Sequence, residues 1–298
     1  MKAFDYAAPQ SVHEVTRLLS QDDSHVRIMA GGTDLLAQMR ENRRVVDLMV
    51  DVKQIPELNE LTYNSVDGLT IGAAVSCLRI CNDPMIAKHY PGLIDAIILI
   101  GGVQIQGRAT LGGNLANASP AADSIPALIV HDAQCLIAGP GGVRSVPVET
   151  FCLAPGKTVL QKGEFVVSFH IKPPIRGFGA HYQRFIPRNE MDIAVVGAGA
   201  AVILDDDGTH FHSVRVALGA VAPIPLFIPG VGEFLAGKPA SQEMIDQAGQ
   251  LAAQAATPIS DVRGTVEQRK HLAAVLTRRA LTAASERAQQ SLGGNDDI

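Results

Sequence analysis

The chain has 298 residues, 47% of them hydrophobic and 18% charged, a length for about two domains of roughly 150 residues and a composition that excludes a coiled coil and a disulfide mini-protein. Lys plus Arg number 25 against 30 Asp plus Glu, a net charge of -5 with an isoelectric point near 6.0, so no basic field draws nucleic acid to this surface. No apolar run reaches the roughly 20 residues of a bilayer span and the start MKAFDYAAPQ lacks a signal-peptide profile; with four scattered cysteines, Cys77, Cys81, Cys135 and Cys152, the expectation is a cytoplasmic protein with reduced thiols.

In chain order, residues 4–7 read as a short strand. Ser11 and Glu14 form the S-x-x-E capping box of a helix carrying Val15, Leu18 and Leu19 on one face. Residues 26–30 are an apolar strand broken by Gly31-Gly32-Thr33-Asp34, residues 35–40 a helix and 45–50 another strand, so a small α/β unit fills residues 1–55. Residues 69–73 read as extended and 91–100 as helical. Glycines 101, 102, 107, 112 and 113 follow. A helix covers residues 123–130, with Pro126 in its first turn. Residues 135–138 and 143–146 flank Gly139-Pro140-Gly141-Gly142 as a hairpin, and 164–171 is a further strand. Lys172-Pro173-Pro174 marks a linker, which ends a second unit over residues 56–174.

Beyond the linker, residues 181–185, 193–204 and 214–218 read as a three-stranded antiparallel meander, with Asp205-Asp206-Asp207-Gly208 as one turn. Residues 242–256 and 265–284 are alanine-rich helices with apolar positions at helical spacing. The third unit, residues 175–290, is thus an α+β domain, and residues 291–298 are expected to be a disordered tail.

Several patterns fall short of a site. Cys77 and Cys81 share one helix face but supply only two ligands, so they read as packing residues. His210 and His212 lie two apart on a strand without a third ligand nearby. Gly197-Ala198-Gly199 resembles a dinucleotide fingerprint, but residues 201–204 run into the Asp-Asp-Asp-Gly turn where the crossover helix should begin. It reads instead as a strand whose small residues lie under a packed helix. Walker, HExxH and GxSxG patterns are absent from the sequence.

Two glycine clusters remain. Ala30-Gly31-Gly32-Thr33-Asp34-Leu35-Leu36 lies between a strand and a helix, so its amides point into one small volume, an anion-binding geometry without lysine or arginine. Thr110-Leu111-Gly112-Gly113-Asn114 repeats the combination of hydroxyl, two glycines and a polar partner. Glycine lets a backbone approach a diphosphate closely. Two such clusters in separate units suggest one ligand clasped between them.

The strings AGGTDLL (30–36) and TLGGNLANASPAAD (110–123) resemble the paired FAD-binding motifs of the flavoprotein, or medium, subunit of the molybdenum hydroxylases, the xanthine dehydrogenase and aerobic carbon monoxide dehydrogenase group. RNEMDIAVV (188–196), VALGAVAP (216–223) and DVRGTVEQRKHLAAVLTRR (261–279) resemble signatures of that family's C-terminal domain. The clustered cysteines of the family's reductase branch are missing. The resemblance implies an α+β fold of the vanillyl-alcohol-oxidase (PCMH) type: two α/β subdomains that hold FAD, then an α+β domain over the flavin. By position, it implies that Ile28, Met29, Ala30, Gly31, Gly32, Thr33, Asp34 and Leu35, with Thr110, Leu111, Gly112, Gly113 and Asn114, cradle the pyrophosphate. Asp123 is expected to hydrogen-bond the cofactor, Ile100 and Gly101 to lie near it, Val166 to make an apolar contact and Arg184 to stand where xanthine-oxidising members carry lysine.

The resemblance further implies an electron-transfer subunit with no catalytic side chain and no metal of its own. Its partners would be a small [2Fe-2S] subunit and a large molybdopterin subunit, in a dimer of heterotrimers, with electrons leaving through FAD to an acceptor. Two other readings are a stand-alone FAD-dependent oxidase of the same fold and a flavin-free scaffold subunit.

Overall fold

The computed structural model describes residues 2–21, 25–188 and 191–293. The chain opens with β1 (Asp5–Ala7), α1 (Val12–Leu19), β2 (Val26–Met29), α2 (Leu35–Arg40) and β3 (Leu48–Asp51). The three strands pair in parallel in the order β1-β3-β2. Ser11 caps α1, its Oγ accepting from the Glu14 amide at 3.3 Å, and the Glu14 carboxylate reaches back past the capping-box position to accept from the Gln10 amide at 3.2 Å. A small cluster of Met29, Met39, Val46 and Met49 buries one side of this unit.

A second, antiparallel sheet follows. Its strands β4 (Leu61–Asn64) and β5 (Gly68–Gly72) lead into a run of short helices: α3 (Cys77–Cys81), α4 (Pro84–His89), α5 (Pro91–Ile97), α6 (Val103–Gln106), α7 (Leu111–Asn117) and α8 (Ser124–Val130). The chain then returns through β6 (Gln134–Gly139), β7 (Gly142–Pro147), the small β8 (Cys152–Ala154) and β9 (Lys157–Thr158) pair, and β10 (Phe165–Ile171). The sheet order is β4-β5-β10-β6-β7, with β10 in the centre and buried at every residue but His170.

The last third contains β11 (Phe178–Phe185), β12 (Val196–Leu204), β13 (Phe211–Gly219), β14 (Leu226–Phe227), α9 (Pro229–Leu235), α10 (Gln242–Ala255) and α11 (Val266–Gly293). The sheet has four strands, where the sequence suggested three. The fourth, β14, pairs with β13 through only Leu226 and Phe227, too short for an alternating pattern, and Pro223 and Pro225 just before it read as breakers. Residues 291–293 of the expected tail complete α11; residues 294–298 lie outside the described residues. No helix among the described residues is long and apolar enough to cross a membrane.

The glycines of β12 show why the fingerprint-like Gly197-Ala198-Gly199 is sheet. A Cβ on Gly197 would stand 2.3 Å from Tyr182 Oη, and one on Gly199 would stand 3.1 Å from the Pro126 carbonyl of α8. The strand is paired on both sides and must lie flat beneath a helix that is buried at every residue. Ala180, Tyr182, Ala201 and Ala217 of this sheet belong to the same core as β5, α8 and β10. Across the same boundary, Asp95 of α5 accepts from Arg287 Nη1 at 2.5 Å and lies 2.6 Å from His181 Nδ1.

Candidate functional site: a cleft between two glycine loops

A cleft of about 710 Å³ lies between the first and second sheets, within the ~300–1,000 Å³ range of cofactor sites. One wall is the end of β2 and the loop into α2, bringing Ile28, Met29, Ala30, Gly31, Gly32, Thr33, Asp34 and Leu35 to the surface of the cleft. The other is the start of α7, with Thr110, Gly112, Gly113 and Asn114. Ile100 and Val166 line it as well, together with Leu160 and Phe165, so an apolar stretch adjoins the polar loops.

The glycines divide the labour. A Cβ at Gly31 would sit 2.1 Å from the Arg108 carbonyl oxygen, and the Arg108 Nε donates to the Gly31 carbonyl at 3.3 Å. The two loops are thus locked to each other by backbone contact. A Cβ at Gly112 would meet Ala73 at 2.5 Å, which seats α7 on the turn after β5. Gly113 is different: its missing Cβ would find only Thr110 Oγ1, at 3.1 Å. Protein packing therefore explains Gly31 and Gly112, while the open side of Gly113 is a cradle that a side chain would fill.

Thr110 caps α7, its Oγ1 accepting from the Gly113 amide at 3.0 Å. Helix starts leave first-turn amides without carbonyl partners, and at α2 the N-cap Asp34 makes no side-chain capping bond. Two short helices thus begin on one cleft, in agreement with the donor chemistry a diphosphate requires.

Four of the sequence-expected residues stand off the lining. Leu111 points into the core, fully buried, and Gly101 occupies the turn beside Ile100 with φ +60. Asp123 and Arg184 pair with each other at 2.5 Å, and Tyr182 Oη donates to the second Asp123 oxygen at 2.8 Å. Burial pushes the Asp123 carboxyl up to about 6, against the opposing pull of Arg184 and Tyr182. This trio joins the start of α8 to β11, and nearby the Ala220 amide donates to the Pro120 carbonyl at 2.7 Å. The C-terminal sheet therefore grips the segment that follows the second glycine loop.

The cleft also contains what the sequence did not suggest. Arg27 and Arg44 line it, although the glycine loop itself carries no basic residue. Arg27 lies on β2 and Arg44 in the link from α2 to β3, and only the parallel pairing of β2 with β3 brings them to one place. Gly156 and Thr158, from the β8–β9 pair, close the cleft's other rim.

The cysteines and histidines set aside earlier stay outside the cleft. Burial pushes the Cys77 thiol up to about 12, the state of a packing residue. Asp205, Asp207 and His210 share the turn after β12 with ligand atoms within 4.8 Å of one another, and they are mostly exposed; His212 is not among them.

Comparisons with known proteins agree with this geometry. Residues 2–174 match the family model described as the FAD binding domain in molybdopterin dehydrogenase, and residues 181–284 match the CO dehydrogenase flavoprotein C-terminal domain. The chain is 31% identical to the putative xanthine dehydrogenase FAD-binding subunit of Escherichia coli (strain K12), over 94% of this chain and 97% of that protein. It is likewise 31% identical to the carbon monoxide dehydrogenase medium chain of Hydrogenophaga pseudoflava, over 94% and 96%. A solved carbon monoxide dehydrogenase from Hydrogenophaga pseudoflava, lacking the Mo-pyranopterin moiety, superposes with a TM-score of 0.91 at 30% identity, over 96% of this chain and 98% of that one. Two family domains in tandem and relatives matched over nearly their whole length lead to one conclusion: the chain belongs to the FAD-binding medium subunits of the molybdenum hydroxylases, of xanthine dehydrogenase and carbon monoxide dehydrogenase type, a family of oxidoreductase subunits whose cofactor is FAD.

Proposed function

We propose that this chain is the electron-transfer subunit of a molybdenum hydroxylase, holding FAD in the cleft between the two glycine loops. It would receive electrons from [2Fe-2S] clusters of a small subunit, deliver them to an acceptor, and assemble with that subunit and a large molybdopterin subunit as a dimer of heterotrimers in the cytoplasm. The observation that carries the reading is the convergence of residues 28–35 with Thr110, Gly112, Gly113 and Asn114, far apart in sequence, on one 710 Å³ cleft. Four free cysteines support a reducing compartment.

When bound, FAD supplies the redox chemistry. The chain's own work is to bind and orient. In this reading the amides at the starts of α2 and α7 hold the diphosphate, the open side of Gly113 admits it, and Ile100, Leu160, Phe165 and Val166 exclude water from the apolar end. Asp123 and Arg184 act from behind the wall, fixing the segment after α7 through Tyr182 and β11. Organic-substrate recognition is assigned to the large subunit. In support, relatives at the same 31% identity are named for xanthine and for carbon monoxide.

The test is the visible spectrum of the purified chain, followed by acid extraction of its flavin. Near-stoichiometric, non-covalent FAD is expected, with loss of most flavin from a still-folded Gly113→Val variant. A folded wild-type chain that takes up no FAD would leave the scaffold reading in its place; turnover of an organic substrate by the isolated chain would favour the oxidase.

A further inference from the structure

Four ionisable side chains line the cleft: Arg27, Asp34, Arg44 and Glu164. Glu164 is already engaged, its two oxygens accepting from Arg144 Nε and Nη2 at 2.8 Å each. Asp34 leaves its carboxylate out of the α2 cap. The two arginines are the unbalanced feature. Arg27 Nη1 donates to the neighbouring Val26 carbonyl at 2.7 Å, and its Nε is buried without a partner. Both line the same cleft; burial lowers the pKa of Arg27, and the charge of Arg44 lowers it further. Among the described residues, no carboxylate forms an ion pair with either.

Two like charges brought together at a half-buried wall are unfavourable unless a third charge joins them. The guanidinium fork matches phosphate oxygens, and two forks match two phosphates.

We propose that Arg27 and Arg44 form a charged clasp for the diphosphate of FAD and so select the dinucleotide over a flavin that lacks phosphate. The inference rests on the reading that FAD occupies this cleft. It assigns to two residues outside both glycine motifs the long-range attraction that the motifs lack.

The experiment is a fluorescence titration of the full chain, freed of flavin, with FAD and with riboflavin at low and high salt. It compares the wild type, Arg44→Gln and the Arg27→Gln/Arg44→Gln pair. Arg44 is exposed, so Arg44→Gln should retain the wild-type fold, to be checked by circular dichroism. The expected result for this variant is FAD binding weakened about tenfold, equivalent to about 1.4 kcal/mol. Its salt dependence should be smaller, riboflavin binding unchanged, and the double variant weaker again. FAD affinity and salt dependence unchanged in Arg44→Gln, or an equal loss for riboflavin, would overturn the clasp. If Gly113→Val abolishes FAD binding while the arginine variants do not, the cleft reading stands and the clasp alone falls. A folded wild type without affinity for FAD removes both.

Discussion

Glycine at position 31 serves a different purpose from glycine at 113, although a motif reading treats them alike. At Gly31 the obstacle to a side chain is the Arg108 carbonyl, 2.1 Å from the Cβ position, and backbone cannot swing aside as a side-chain tip can. Gly31→Ala is therefore expected to destabilise the fold by about 1–3 kcal/mol, read as a lower urea midpoint in the flavin-free chain; an unchanged midpoint would refute the locked-loop account. Gly113→Val should instead keep the fold and lose the flavin. Both glycines were legible in the sequence as turn and cradle positions, but which was which was not, because the partner of Gly31 lies 77 residues away. Arg27 and Arg44 were illegible for a similar reason, since nothing local shows that β2 and β3 become neighbours.

At the level of elements, α7 forms against its own propensity. Gly112, Gly113 and Asn114 are poor helix formers, so the sequence favours a turn over residues 110–114. The helix is secured by the Thr110 cap at its start and by Leu111 and Leu115, both fully buried in the core. Thr110→Val keeps the shape and removes the acceptor of the Gly113 amide, so a loss of about 1 kcal/mol is expected, together with weaker FAD binding. Unaltered stability by urea titration would show that packing alone holds the helix. The longer elements were easier to read. The apolar run of β10 and the amphipathic runs of α10 and α11 announce themselves, whereas β4, α4, α9 and β14 are short and draw their order from neighbours.

For the whole molecule, one core links the cofactor-binding sheets to the C-terminal sheet, and His131 sits in the aromatic seam of that junction. Its ring lies 6.2 Å from Tyr90 and 5.8 Å from Phe178, centroid to centroid. Nδ1 lies 2.7 Å from the Ala127 carbonyl, the geometry of a neutral ring donating its proton. Complete burial lowers its pKa from 6.5 to about 4. The unfolded chain thus takes up a proton at this residue below pH 6.5 that the native ring refuses until about pH 4. Stability supplied by the neutral ring is lost as pH falls through that window, up to about 3 kcal/mol. Asp123 works in the opposite sense, its raised pKa favouring the native state as pH falls through about 6. Comparing wild type with His131→Phe at each pH removes the Asp123 contribution common to both. The variant should lose less stability between pH 7 and pH 4.5; parallel curves would exclude His131 as the acid-sensitive group.

The Met29, Met39, Val46 and Met49 cluster beneath α2 makes the two sides of the cleft mechanically unequal. Thioether side chains are unbranched and repack at little cost, so α2 and the loop before it rest on a yielding bed. Meanwhile α7 is bolted to the main core through Leu111 and Leu115. FAD would therefore rest against one fixed jaw and one compliant jaw, the two pinned together where Gly31 meets Arg108. Its arrival and departure would be taken up by the first 50 or so residues, leaving undisturbed the wall that is gripped by the C-terminal sheet.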